Sequence, residues 1–315
     1  MKSTVRILII LAGVFIIVGA IVAFTAIAIG GFRFSSLNTG LPYSEKNYTY
    51  DAAGVTELEI RDISCDVNLI GSGDQSVKIV CYENEKDYYT ISLSTDGKLS
   101  IVKSISKNWY DFFGINFNPH EQTLTIAVPA EFKAAVQVGT ISGKITLSKI
   151  MMEGSLKADS TSGDISLKNI TAGETSAQTV SGSLELDTTV VNGDLRLQTT
   201  SGEINVAATD IAGGLSAETT SGSMDFTDTR ARDDIDAGSV SGDIKLDHLG
   251  GTDFSLKTIS GAIRGSIVGN PGDYTFKADS VSGNIHLPDS ASGKKSFKAA
   301  TTSGGIDLEY SGSGS

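Results

Sequence analysis

The dipeptide Ser-Gly returns at a nearly constant interval through the second half of this 315-residue chain. The spacing between consecutive serines is 19–22 residues, with serines at positions 142, 162, 181, 201, 221, 241, 260, 282 and 303. A unit of this length is too short to bury a core alone, and such units are typical of solenoids, in which each packs on its neighbours. The interval therefore predicts a β-solenoid of nine stacked coils over residues 136–310.

Apolar and polar residues alternate on both sides of each Ser-Gly, which is the two-residue period of a β-strand. The third residue after the serine is apolar in every repeat, as in Ile145, and the second residue before it is Ser or Thr, as in Thr199. Because the alternation slips at Ser-Gly, we predict two strands per coil, joined by a corner with glycine at positive φ. The Ser/Thr row beside this corner can bond backbone groups that would otherwise be buried unpaired.

The residue directly before each serine is β-branched in every repeat and points outward by the same alternation. The row consists of Ile141, Thr161, Val180, Thr200, Thr220, Val240, Ile259, Val281 and Thr302. A flat row of this kind could bind a partner protein or a glycan. The other interpretation is that these residues only favour strand formation in a solenoid wall.

Residues 51–135 contain shorter and less regular alternating segments, which predict an irregular β region that caps the solenoid. Within it, Cys65 and Cys81 lie symmetrically about Gly73, so a hairpin at Gly73 would bring the two thiols together. A disulfide and two separate buried thiols both fit this placement. We also expect a polar linker at residues 30–50 and a flexible tail at 311–315.

Residues 7–29 form an apolar run in which Thr25 is the only polar side chain. A helix of this length, at about 1.5 Å per residue, spans a hydrocarbon core of about 30 Å. Lys2 and Arg6 precede the run, which places the N-terminus in the cytoplasm by the positive-inside rule. Residues 1–29 are therefore predicted to be a cytoplasmic stub and a single-pass membrane helix, with the solenoid outside the cell. A cleaved signal peptide ending near residue 28 is the alternative.

The charge and the spacing of polar residues argue against several functions. A net charge of −12 disfavours binding to nucleic acid. Coils of 19–22 residues leave no room for the long loops that wall the clefts of β-helix enzymes. The aspartates that follow glycine, Asp164, Asp194 and Asp243, do not align into a ladder that could bind calcium. The histidines, His120, His248 and His286, lack the spacing of metal ligands. We therefore predict no catalytic, cofactor-binding or metal-binding residues.

Two segments could contact a partner. An aromatic insertion at residues 108–113, with Phe117, holds the only Trp of the chain and could bind a partner or cover the end of the solenoid. A charged cluster follows Phe226 and could be either a contact site or a solvated turn; it consists of Arg230, Arg232, Asp233 and Asp234.

The serial motifs TSGDISL, VSGSLEL, TSGEINV, VSGDIKL and VSGNIHL, together with the proline-containing strand at residues 124–129, resemble a bacterial family of putative adhesins. This is a β-strand-repeat domain of unknown function, and the match covers about residues 50–310. The resemblance implies an extracytoplasmic, often membrane-anchored envelope protein without catalytic residues. We therefore expect a non-catalytic binding or structural module of the cell envelope whose partner is an envelope protein or glycan. The alternatives are a sensory partner of an envelope-stress system and a carbohydrate-active β-helix enzyme.

Overall fold

The computed structural model describes residues 42–106, 123–270, 272–288 and 293–311. The predicted membrane helix, the aromatic insertion and His120 lie outside these residues and stay predictions. In the part of the chain that the structure describes, no helix is both long and apolar enough to cross a membrane. The same residues form strands and their connections, apart from one 3-10 turn at Ala52–Gly54.

In its described residues, 42–106 and 123–134, the region before the regular coils contains eight strands. They are β1 (Ser44–Asp51), β2 (Glu57–Arg61), β3 (Asp66–Ser72), β4 (Ser76–Glu83), β5 (Asp87–Leu93), β6 (Lys98–Ile105), β7 (Thr123–Pro129) and β8 (Glu131–Phe132).

Each regular coil has one strand before Ser-Gly and one after it. The strands before it are β9 (Ala135–Thr140), β11 (Leu156–Ser160), β13 (Thr175–Gln178), β16 (Leu195–Gln198), β19 (Leu215–Ser221), β22 (Ile235–Ser241), β24 (Phe254–Ser260), β26 (Tyr274–Ser282) and β28 (Lys295–Ser303). The strands after it are β10 (Ile145–Met152), β12 (Ile165–Ala172), β14 (Leu184–Asp187), β17 (Ile204–Ala207), β20 (Met224–Thr227), β23 (Ile244–Leu249), β25 (Ile263–Val268), β27 (Ile285–His286) and β29 (Ile306–Ser311). Three coils add a two-residue strand: β15 (Val190–Val191), β18 (Asp210–Ile211) and β21 (Arg230–Ala231).

Equivalent residues of stacked coils face each other in parallel register, as the repeat predicts. Ile145 pairs with Ile165, and Ile165 pairs with Leu184, so the large apolar residues form a continuous inner ladder. All three side chains are fully buried. The prediction of a parallel β-solenoid of stacked coils is therefore confirmed for the described residues.

The positive-φ bend lies elsewhere than predicted in six of the nine coils. Of the nine glycines in the repeated Ser-Gly, only Gly304 has a positive φ. In six coils the bend instead falls on one non-glycine residue that lies within the second strand or directly after it, with φ between 45° and 58° at Lys149, Asn169, Thr188, Ala208, Asp228 and His248. Three of these bends are followed by a buried threonine whose hydroxyl donates to a nearby backbone carbonyl, and then by the short third strand; the threonines are Thr189, Thr209 and Thr229.

The hairpin predicted about Gly73 is wrong. Strand β7 pairs in parallel with β3 and antiparallel with β4, so it lies between the two strands that the hairpin would have joined. Cys65 directly precedes β3 and Cys81 lies in β4, which places them at least about two strand spacings, or about 9.6 Å, apart. A disulfide requires Cα atoms within about 7 Å, and the structure contains none between these two residues.

The N-terminal region is more ordered than the sequence predicts. Strands β2 and β6 pair in parallel, as do β3 and β7, and β2 and β3 in turn pair with β9 and β10. The solenoid thus continues for two rungs into the region predicted as irregular. The predicted linker at residues 30–50 ends earlier, because β1 pairs antiparallel with β4 along its whole length.

At the C-terminal end, the order of coils in space differs from their order in the chain. Strand β28 pairs with both β24 and β26, and β29 pairs with both β25 and β27. The last coil therefore inserts between its two predecessors. The Ser260–Ser282 interval of 22 residues is the longest in the chain, and two additional residues reach about 7 Å, enough to pass one rung of about 4.8 Å. The coil of β26 and β27 forms the open end of the solenoid.

Candidate binding surfaces

The β-branched row before each serine points away from the core, as predicted. Ile141 is 51% exposed, Val180 48%, Val240 43% and Ile259 52%. With one such residue per coil and a strand spacing of about 4.8 Å, the row forms a flat ridge along the solenoid. We call it the outer ladder; its members are residues 141, 161, 180, 200, 220, 240 and 259.

The inward Ser or Thr beside five outer-ladder residues, from Val180 to Ile259, bonds the preceding coil, whereas Thr140 and Ser160 accept a bond from the glycine of their own corner. The Thr199 hydroxyl donates to the Gly182 carbonyl at 3.0 Å, and the Thr219 hydroxyl donates to the Gly202 carbonyl at 3.3 Å. Equivalent bonds recur along the chain at Thr179, Ser239 and Thr258. The predicted hydroxyl ladder is confirmed, and it fixes the backbone from which the outer ladder projects.

Replacing Thr199 with valine should lower the free energy of unfolding by about 1–2 kcal/mol, because the buried Gly182 carbonyl loses its donor while the shape is kept. Thr200→Val is the matched control, since Thr200 is exposed and already β-branched; its cost should stay under about 0.5 kcal/mol. Urea denaturation of both variants measures the difference. Equal stability of the two variants would contradict the role assigned to the hydroxyl.

A shallow groove lies beside the first residues of the outer ladder. Gly139 has no side chain and pairs in register with Arg61 on one side and Asp159 on the other. Ile141 and Thr161 also line this groove. The Arg61 guanidinium lies 2.6 Å from the Glu59 carboxylate and remains 64% exposed. The groove therefore offers a cation and a carboxylate next to an apolar ridge.

The predicted charged cluster lies on an exposed corner around β21. Arg230 and Arg232 line an open groove with Asp210, which pairs in register with Arg230. Asp233 and Asp234 continue the corner and are exposed. The structure thus brings the four residues to one solvated turn.

The aspartates considered as calcium ligands bond the backbone of a neighbouring coil. Asp164 Oδ1 accepts from the Ser183 amide at 2.9 Å, Asp194 Oδ1 from the Gly214 amide at 2.9 Å, and Asp243 Oδ1 from the Ala262 amide at 2.8 Å. His248 lies at a positive-φ bend with its Nδ1 2.7 Å from Asp247 Oδ1, and His286 lies in β27. Within the described residues, no group of three or more acidic, His or Cys side chains could hold a metal ion.

A buried polar network in the N-terminal region was missed by the sequence analysis. Asp62 Oδ1 accepts from the amides of residues 63, 64 and 65 at 2.6–2.9 Å, and its Oδ2 accepts from the Tyr89 hydroxyl at 2.5 Å. The Lys103 ammonium lies 2.6 Å from Asp87 Oδ1, and the two side chains are 1% and 6% exposed. It also lies 4.4 Å from the centroid of the Tyr89 ring.

The two cysteines belong to the same network. The Cys81 thiol donates to Glu83 Oε1 at 3.7 Å, and the same oxygen accepts from the Tyr89 amide at 2.8 Å. Burial, reinforced by the Glu83 charge, raises the pKa of Cys81 to about 12. Burial and then the Asp62 charge raise the pKa of Cys65 as well. Both side chains are therefore protonated thiols at neutral pH and poor nucleophiles.

The alternation of inward and outward residues in β4 and β6 contains a signal for this network. Lys103 continues the buried face of Leu99 and Ile101, and Glu83 continues that of Ile79 and Cys81. A charged residue at an inward position is rarely buried without a partner. Two such positions therefore predict buried polar partners, which are Asp87 for Lys103 and the Cys81 thiol and Tyr89 amide for Glu83.

The fold and these surfaces define a parallel β-solenoid whose exposed ridge and shallow grooves lie along its coils. The Toastrack DUF4097 family model matches residues 55–309, and the chain belongs to this family. This match confirms the resemblance to the bacterial family of putative adhesins, whose repeat domain has no known function. A comparison of the chain with curated proteins gives no match.

Several solved structures are similar. A putative adhesin from Bacteroides fragilis NCTC 9343 is 14% identical, with 84% of this chain and 97% of that chain covered and a TM-score of 0.49. A putative cell adhesion protein from Clostridium sporogenes ATCC 15579 is 12% identical, with coverage of 86% and 100% and a TM-score of 0.26. A putative lipid binding protein from Parabacteroides distasonis ATCC 8503 is 14% identical, with coverage of 84% and 97% and a TM-score of 0.34. Identities and TM-scores this low do not support the transfer of a function.

Proposed function

We propose that the protein is a non-catalytic binding module of the cell envelope, anchored by its N-terminal apolar segment. The outer ladder is the observation that carries this proposal, because it exposes a β-branched residue on each of seven successive coils. The bonded corner beneath it makes the ridge rigid, so little conformational entropy is lost when a partner binds. An envelope protein or a glycan strand could lie along this ridge.

The chemistry of the buried network supports a role without catalysis. The Asp62 carboxylate already accepts hydrogen bonds from three backbone amides, and the Lys103 ammonium already forms an ion pair with the Asp87 carboxylate. The thiols of Cys65 and Cys81 have raised pKa values, opposite to the lowered pKa of a nucleophilic cysteine. These groups stabilise the N-terminal rungs and have little access to a substrate.

We expect the triple variant Val180→Lys/Thr200→Lys/Thr220→Lys to bind its target at least about tenfold more weakly, because three ammonium groups interrupt the apolar ridge. The full-length protein in detergent micelles is tested for retention on purified peptidoglycan sacculi, on intact cells and on solubilised membrane proteins. Retention on sacculi or cells supports adhesion, whereas retention on membrane proteins alone favours the sensory alternative.

The matched control is Ser176→Lys/Asn205→Lys/Ser216→Lys, which adds the same three charges to the same coils away from the outer ladder. It should bind as the wild type does. Equal losses in the two triple variants, or no retention of the wild type on any of the three probes, would refute the proposal.

A further inference from the structure

The C-terminal end of the solenoid exposes residues that are buried in every other coil. Ile285 in β27 is 42% exposed, whereas Ile306, its partner in the neighbouring coil, is fully buried. Phe276 and Ala278 in β26 are likewise only partly buried, in contrast to Phe297 and Ala299. The coil of β26 and β27 thus ends the stack with an apolar face, which we call the end face; its members are Phe276, Ala278, Ile285 and Leu287.

The chain continues into ordered coils both before and after this end coil. The coil that follows it in the chain, formed by β28 and β29, lies beneath it and pairs with both of its strands. The exposed coil is therefore an internal segment and not a fraying chain terminus. Val281 is 83% exposed here, compared with 43–52% for Val180, Val240 and Ile259, because no further coil in the described part of the chain covers it.

Strand β26 also presents an open hydrogen-bonding edge. Among the described residues, β26 pairs with β28 alone. The Asp273 carbonyl accepts from the Lys295 amide at 3.1 Å, so the odd-numbered residues that follow it face β28. The amides and carbonyls of residues 274, 276, 278 and 280 then point to the open side, because successive residues of a strand face opposite neighbours. A nine-residue edge of this kind can accept another strand.

The side chains of β26 are complementary to those of a second copy of the same strand. If two β26 strands run antiparallel with Ala278 on the two-fold axis, Lys277 of each copy faces Asp279 of the other. Both side chains are exposed in the single chain. Ala278 then forms the hydrogen-bonded pair, and Lys277 and Asp279 form the flanking pairs in which side chains approach most closely. The same axis brings the two end faces together.

The opposite end of the solenoid does not offer this fit. There the sheets finish with antiparallel strands, β5 on β6 and β1 on β4. A second copy stacked head to tail would pair β26 with a different edge strand, whereas a tail-to-tail dimer places identical edges against each other.

We propose that two copies of the chain associate tail to tail through the end face, by antiparallel addition of β26 to β26 about Ala278. This inference concerns the end of the solenoid and does not depend on the outer ladder. Such a dimer buries the apolar end face and the open edge of both copies in one interface.

Charge reversal tests the register. Sedimentation velocity of the full-length protein in detergent micelles should show a dimer that dissociates at lower concentrations. Lys277→Asp places two pairs of carboxylates across the axis, and Asp279→Lys places two pairs of ammonium groups there. Each single variant should raise the dimer Kd by about tenfold or more. The double variant Lys277→Asp/Asp279→Lys should restore the dimer, and so should a mixture of the two single variants.

Ala278→Pro tests the edge pairing independently. Its amide faces the open side, so proline there removes no bond to β28 and is tolerated as on other edge strands. The variant should be monomeric with a melting temperature close to that of the wild type. A wild type that stays monomeric, or a dimer that survives Lys277→Asp, Asp279→Lys and Ala278→Pro unchanged, would overturn the proposal.

Discussion

Gly222→Val should lower the free energy of unfolding by about 3 kcal/mol, a large loss for one surface corner. A Cβ atom at this position would lie 1.9 Å from the carbonyl oxygen of Gly202 in the preceding coil. The two coils would have to separate, and the hydroxyl bond from Ser239 to the Gly222 carbonyl would be strained with them. Chemical denaturation of the variant and the wild type measures the loss.

Ser223→Lys is the control, because it changes the next residue at the same corner. Positions aligned with Ser223 already carry charged side chains, Lys144, Glu203 and Asp243, so the cost should be under about 0.5 kcal/mol. If the lysine variant lost as much stability as the valine variant, close approach of the coils at Gly222 could not be the cause. The reason for glycine here is space and not positive φ, which Gly222 does not have.

Lys103→Met should cost about 3–5 kcal/mol, because it removes the cation that faces the buried Asp87 carboxylate. Lys98→Met on the same strand is the control. Lys98 forms ion pairs with Glu57 and Glu59 from a side chain that is 35% exposed, and its replacement should cost much less than that of Lys103. Similar losses of unfolding free energy for the two variants would show that burial does not determine the strength of the ion pair between Lys103 and Asp87.

The same pair predicts a pH dependence. Burial disfavours the Lys103 charge, but the contact with Asp87 more than compensates, and the pKa of Lys103 is raised. A raised pKa means that the folded state holds its proton more tightly than the unfolded state does. The contribution is therefore fully present below about pH 10.4, the ordinary pKa of lysine, and is lost as the pH rises through the folded-state pKa. Stability of the wild type should fall in that alkaline range, and Lys103→Met should lack this part of the decline.

Much of the solenoid follows from the sequence, because its features are local and repeated. Two-residue alternation, with its slip at Ser-Gly, separates inward Ile145 from outward Ile141, and neighbouring coils repeat the same pattern. Identical rows must then stack, which is why the inner ladder, the hydroxyls of residues such as Thr199 and the exposed row could all be predicted. The outer ladder as a candidate site was predictable for the same reason.

The positions of the positive-φ bends could not be predicted from the sequence. Glycine at Ser-Gly suggested positive φ, but its lack of a Cβ is needed for contact with the preceding coil. The positive φ falls on residues as different as Lys149, Ala208 and His248. These conformations are imposed by the stacked coils on either side, so no residue type marks them.

The order of the coils was decided only by the tertiary structure. Because the repeats are alike, the face of one coil fits several others, and sequence similarity cannot tell which neighbour it takes. The placement of β28 and β29 beneath β26 and β27, and of β7 between β3 and β4, depends on connections and pairings distant in the chain. The repeat pattern determined what each strand buries and exposes, while long-range pairing decided which coil is last and therefore which edge remains open.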